Sequence, residues 1–220
     1  YANLEDQVRR NKAIMGATAQ QEKQLMQQTR DLGRSTKFTA QEVAEAQMYQ
    51  AMAGMKTNEV LEMTPKLLKM SIAAGSDFAQ TSDIVTDNLT AFGMSLKDSD
   101  RLMDVMVATS NNANTNVQML GEAYKYVAAT SRNFESFENV NILLGVLADN
   151  GIKSGQAGRN LAGIYRRLAN PSKQVGNALK DLNIQLYDQQ GRFKGLKELS
   201  DDLKIATANL IQEERNRYLT

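Results

Sequence analysis

The sequence predicts an all-α fold: a multi-helix domain of short helices joined by tight corners, with one small β-hairpin near residues 184–194. Three observations lead there. Capping-box starts recur at Thr39-Ala-Gln-Glu42, Ser95-Leu-Lys-Asp98 and Thr115-Asn-Val-Gln118. In each, a hydroxyl can accept from an orphan amide while the residue three positions on reaches back. Glycine stops recur with them at Gly54-Met55, Gly93-Met94 and Gly151-Ile152. There Gly can turn left-handed and the next apolar residue can fold onto the last helical turn. Only Ile184 to Lys194, with Asp-Gln-Gln-Gly191 at its centre, carries a convincing strand signal.

In chain order, helices are expected at about residues 3–33, 40–53, 58–74, 77–92, 97–111, 117–131, 136–150, 155–169, 172–182 and 196–216. The first is rich in Gln, Lys and Arg and has only a thin stripe of Leu4, Val8, Ile14, Met15, Leu25 and Leu32, so it needs a partner. Pro65 should kink or split the third helix. Pro171 suits the first turn of the ninth. The most apolar run, Asn141 to Ala148, reads as a buried helix core and falls far short of the ~18–20 apolar residues of a membrane span. Glycine-terminated helices recur at intervals of 39 and 58 residues, which reads as too irregular for a solenoid.

Three regions follow. Residues 1–37 form a lead-in helix that coils or self-associates, residues 38–183 a helical core, and residues 184–220 the hairpin and a C-terminal helix continuing into a longer parent chain. The start at Tyr1 without an initiator Met also reads as a piece of a longer protein.

Composition narrows the chemistry. With 42% hydrophobic residues, 6% aromatics, no Trp and 11 Met, the expected core is packed from Ala, Leu, Ile, Val and Met. Having 0 Cys and 0 His, the chain lacks disulfides, thiolates, the usual zinc ligands and an imidazole base. Net charge is +1, but residues 1–37 carry +3, residues 38–150 carry −7 and residues 151–220 carry +5. Such a pattern allows end-to-middle contact between subunits or domains. It argues against specific nucleic-acid recognition by the whole chain.

No catalytic, cofactor-binding or metal-binding residue is nominated. The best carboxylate cluster, Asp98, Asp100 and Asp104 near Ser95 and Arg101, reads as helix capping and first-turn charge. Asp83 and Asp87 share a helix face but lack a third ligand. Residues 151–158, GIKSGQAG, open a helix, yet they lack the order of a phosphate loop and no strand precedes them. A tight corner with close helix approach is the better reading. Arg159, Arg166, Arg167 and Lys173 form the most basic patch.

One resemblance runs along most of the chain. It is carried by LGRSTKFTAQEVAEA (Leu32 to Ala46), MAGMKTNEVLEMTP (Met52 to Pro65), AAGSDFAQTSDIVTDNLTAFGM (Ala73 to Met94) and LGEAYKYVA (Leu120 to Ala128). GVLADNGIKSGQAGRNLAGIYRRLANPS (Gly145 to Ser172) and LNIQLYDQQGRFKGL (Leu182 to Leu196) continue it. Together they resemble the conserved N-terminal region of bacteriophage tail tape measure proteins, with Arg159 standing where that family more often has Thr or Ser. The resemblance implies a non-enzymatic virion protein, made in the bacterial cytoplasm, that sets tail length inside the tail tube and is ejected with the genome. It implies a trimeric or hexameric homo-oligomer whose partners are tail tube, tail chaperone and tail tip proteins, with host-membrane contact through parent segments outside this region. The competing readings are a membrane-active genome-delivery channel component and an embedded cell-wall hydrolase domain.

Overall fold

The computed structural model describes residues 2–219. Twelve helices lie among them: α1 (Ala2–Met15), α2 (Ala19–Ser35), α3 (Ala40–Met52), α4 (Thr57–Ala74), α5 (Phe78–Ala91) and α6 (Ser99–Asn112), then α7 (Val117–Ser131), α8 (Phe137–Asp149), α9 (Ser154–Ala169), α10 (Lys173–Asp181), α11 (Leu196–Thr207) and α12 (Gln212–Leu219). A 3-10 turn, Leu96–Asp98, leads into α6.

From α1 to α9 each helix packs on its neighbour in sequence and on the helix after that. Odd-numbered helices therefore line one layer and even-numbered helices the other. The N-caps of α3, α5, α7 and α9 are Thr39, Asp77, Asn116 and Lys153, at intervals of 38, 39 and 37 residues. The second layer starts at Thr18, Lys56, Ser95, Ser136 and Ser172, at intervals of 38, 39, 41 and 36. The molecule is thus a stack of helix pairs, in which each pair buries the face its neighbour exposes.

This overturns the expectation that no solenoid repeat is present. The glycine intervals misled because they mixed layers: Gly54 and Gly93 close α3 and α5, but Gly151 closes α8. The equivalent exit from α7 is capped by Arg132, 39 residues after Gly93, without a glycine.

Contacts between equivalent helices also recur about one repeat apart. Asn11 Nδ2 donates to the Ala44 carbonyl at 2.8 Å, and Ser82 Oγ donates to the Ala46 carbonyl at 2.8 Å. In the other layer Lys66 meets Asp100 at 3.0 Å and Arg101 pairs with Glu138. The Asn114 amide donates to Asp149 Oδ1 at 2.7 Å.

The glycine corners form as the sequence predicts. At Gly54, Gly93 and Gly151, φ is +87°, +68° and +85°. Met55, Met94 and Ile152 donate back to the carbonyls of Gln50, Leu89 and Leu147 at 3.2, 2.8 and 2.9 Å. Thr39 completes its capping box, Ser95 forms only the return half with Asp98 accepting from it, and α7 is capped by Asn116 rather than Thr115, with the Asn116 side chain accepting from the Met119 amide.

Four other expectations need correction. Residues 3–33 are two helices, because Gly16 turns left-handed at φ +64° and Thr18 forms a capping box with Gln21. Pro65 does not split α4, which runs through it; the Leu61 carbonyl, which Pro65 cannot serve, accepts from Gln28 Nε2 at 2.7 Å. The predicted C-terminal helix breaks into α11 and α12. The β-hairpin over Ile184 to Lys194 is absent: the described residues contain no strand, only one antiparallel bridge between Tyr187 and Phe193. The turn closes around Asp188, but Phe193 leaves to pack edge-on against Phe134 and Gly195, at φ +87°, steers the chain into α11.

The core changes character along the stack. Towards the N-terminus it is studded with buried Asn11, Thr29, Gln47, Gln50 and Thr64, all hydrogen-bonded. Further on, Phe92, Tyr124 and Phe137 form a mutually packed aromatic trio. Beyond α9 burial thins out: α10 buries no residue, while Leu199 and Thr207 are buried on α11.

Candidate functional site

The acidic cluster is used in folding. Asp98 accepts from the Ser95 amide and hydroxyl at 2.9 and 2.7 Å, and those bonds hold its carboxyl below the ordinary range. Asp100 takes the Lys66 ammonium, which also reaches Glu62 at 3.2 Å. Arg101 turns away to Glu138 on α8, with Nη2 donating to Oε2 at 2.6 Å. That guanidinium depresses the Glu138 pKa. Asp100 and Arg101 thus tie α6 to α4 and α8, while Asp104 lines a surface hollow with Lys66, Lys69 and Asp100.

Asp83 and Asp87 do share a face of α5. Partial burial, and then the Asp87 charge, push the Asp83 pKa up, opposed by Lys125. Among the described residues no group of three or more His, Cys, Asp or Glu side chains is arranged to hold a metal ion. No described helix is long and apolar enough to cross a membrane.

Residues 151–158 form a close-packed corner. A Cβ on Gly158 would lie 2.0 Å from the Ala123 carbonyl oxygen, and one on Gly155 would lie 3.0 Å from the Tyr126 ring. Glycine lets α9 touch the backbone of α7 here. Arg159 does not interfere with this approach: its guanidinium lies 4.7 Å from the centre of the Tyr126 ring.

The surface that sequence reasoning missed is on α8. Asn141 is buried, donating to the Phe137 carbonyl and accepting from the Tyr124 hydroxyl, while Ile142 and Val146 are 61% and 55% exposed. The run that the sequence marks as a buried helix core is thus buried at Asn141, Leu144 and Ala148 and open at Ile142 and Val146. A usable signal was its spread around the helix, since a two-layer packing covers only part of a helix that is apolar on every side. Ile142 and Val146 line a groove between α8 and α6 with Val105 and Ala108, rimmed by Glu138 and Asp149. Gly145 floors it by admitting the Ala113 methyl, which a Cβ there would meet at 3.3 Å.

A second unsatisfied surface follows α8. Residues 151–180 contain six basic side chains, Lys153, Arg159, Arg166, Arg167, Lys173 and Lys180, and no acidic one. Among the described residues none of the six forms an ion pair. The sequence-predicted basic residues Arg159, Arg166, Arg167 and Lys173 are each exposed.

Comparison with known proteins places this architecture. The family model described as phage-related minor tail protein matches residues 26–220. The tape measure protein of Pneumococcus phage Dp-1 is 36% identical over 214 residues, covering 97% of this chain and 19% of that protein. The probable tape measure protein of Escherichia phage P2 is 28% identical over 180 residues, covering 80% of this chain and 22% of that protein. The chain thus spans about a fifth of the length of these curated relatives. No solved structure matches it.

Proposed function

The chain belongs to the phage-related minor tail protein family, and on that premise we propose that it is the packed association module of a tape measure protein. Its role in the phage tail is structural. The parent chain sets tail length inside the tail tube and leaves with the genome; this module binds further copies of itself, as a trimer or hexamer, and the tube, chaperone and tip proteins of the tail.

The observation that carries the reading is the 36% identity to a tape measure protein across 97% of the chain. The fold supports a division of labour. A 38-residue pair added to a packed stack lengthens it by only about 10 Å, the spacing of neighbouring helices. The same residues in one continuous helix span about 57 Å. A compact stack is a poor ruler and a good anchor, so length-setting falls to the rest of the parent.

In-frame deletions in the parent gene, with tail lengths measured by electron microscopy, test this. Removing residues outside this module shortens tails in proportion, by up to about 1.5 Å per residue. Removing residues 38–183 abolishes tail assembly. Tails of unchanged length and number after both deletions overturn the proposal.

A further inference from the structure

We infer that copies of this chain join head to tail, α10 of one copy seating in the groove between α6 and α8 of the next. The inference rests on the self-association proposed above and names its surfaces.

The donor is an amphipathic helix that its own chain covers only in part, with Val175 exposed and Ala178, Leu179 and Leu182 half-buried. Val175, Ala178, Leu179 and Leu182 fall at i, i+3, i+4 and i+7, one helix face. None of them joins the core cluster, Val175 is 39% exposed, and α10 makes no substantial contact with α6 or α8 of its own chain.

The receiver matches it in size and chemistry. Nine residues of α10 span about 13 Å, and the twelve from Glu138 to Asp149 span about 18 Å. Ile142 and Val146 offer apolar surface with nothing over it. Residues 98–149, which build α6 to α8, carry a net charge of −4, against +6 for residues 151–180. Lys173 and Lys180 sit towards the two ends of α10, with Asp181 beside Lys180, while Asp149 and Glu138, the latter already paired with Arg101, flank the groove. Opposite potentials steer encounter and fix register, while the apolar stripe supplies the burial. A basic segment could also attract nucleic acid. A second copy is favoured because this chain itself displays the acidic, apolar complement.

Helix and groove are different surfaces, so the contact is heterologous: it closes a ring or continues as a filament.

The absence of native cysteine makes the test direct. Ile142→Cys and Val175→Cys chains are mixed and mildly oxidised, with Ile72→Cys, at an exposed position of α4, as the control. The inference predicts a disulfide-linked dimer from the Ile142→Cys and Val175→Cys mixture, at least tenfold above either variant alone or any mixture with Ile72→Cys. Sedimentation should show that Val175→Asp weakens association at least tenfold and that Ile205→Asp does not. Dominant Ile142→Cys self-linking, equal linking of all pairs, or a chain that stays monomeric overturns the inference. So does a monomer whose residues 151–180 bind a duplex DNA fragment. A monomeric chain whose parent deletions still shorten tails sinks this interface alone; associated chains with unaltered tails sink the tail-length reading alone.

Discussion

Gln28 on α2 gives its side-chain amide to the carbonyl of Leu61 on α4, 2.7 Å away, and that carbonyl is the one Pro65 leaves without its helical partner. The bond lets proline sit within an 18-residue helix without splitting it. Gln28→Ala is expected to cost about 1–3 kcal/mol, the penalty for a deprived, partly buried acceptor. In a Pro65→Ala background the new amide serves Leu61, and the same substitution should cost about 1 kcal/mol less. Urea unfolding of the four-member cycle measures the coupling; additive effects would show that the proline and the glutamine are unrelated.

Two glycines on α9 should respond oppositely to alanine. Gly158 has no room, its Cβ meeting Ala123 backbone atoms at 2.0 to 2.8 Å, whereas Gly163 has nothing within 4 Å and no positive φ. Gly163→Ala should stabilise the chain by about 0.5–1 kcal/mol through helix propensity. Gly158→Ala gains the same term but forces α7 and α9 apart, for a net loss of about 1–3 kcal/mol. Thermal unfolding of the two variants distinguishes close approach from propensity.

Two buried tyrosines form a second contrast. The Tyr124 hydroxyl donates to Asn141, while the Tyr165 hydroxyl is buried with no hydrogen-bond partner. Burial raises both phenol pKa values. Tyr124→Phe should cost about 1 kcal/mol. Tyr165→Phe should leave stability unchanged or raise it, since it removes an unpaired polar atom and keeps the ring stacked on Phe134. Denaturant midpoints for both variants provide the check.

Acid should act in opposite directions at two carboxylates. Arg101 holds the folded pKa of Glu138 below the ordinary glutamate value, so this group contributes stability above that value and loses it as pH falls through its depressed one. Burial, and then Asp87, raise the folded pKa of Asp83, so its penalty is present above that raised value and is relieved on acidification through it. At pH 7, Glu138→Gln should lower stability by about 0.2–1 kcal/mol, a modest effect because the pair is half exposed. Asp83→Asn should raise it by about 0.2–0.5 kcal/mol from the like-charge term. Both differences should vanish once carboxylates protonate in both states. Unfolding curves across acid pH show whether the signs differ.

The sequence made the helices legible through local chemistry. Thr39, Ser95, Gly54, Gly93 and Gly151 act within four or five residues of themselves, and each did what its neighbours imply. The 38-residue repeat was present in the N-cap positions but hidden by following glycines alone, because α7 ends on Arg132. What failed was non-local. Nothing near Pro65 announces Gln28, 37 residues earlier; nothing near Phe193 announces Phe134, whose ring draws the chain out of a hairpin. The groove at Ile142 and Val146 was read as core because composition says how apolar a helix is, while only packing says which of its faces is covered.

Cryo-electron microscopy of intact tails from the phage encoding this chain tests the central claim most directly. The account predicts a two-layered stack of helix pairs inside the tail or at its tip, in several copies about the tail axis. Complete, infectious tails containing no such density would contradict it.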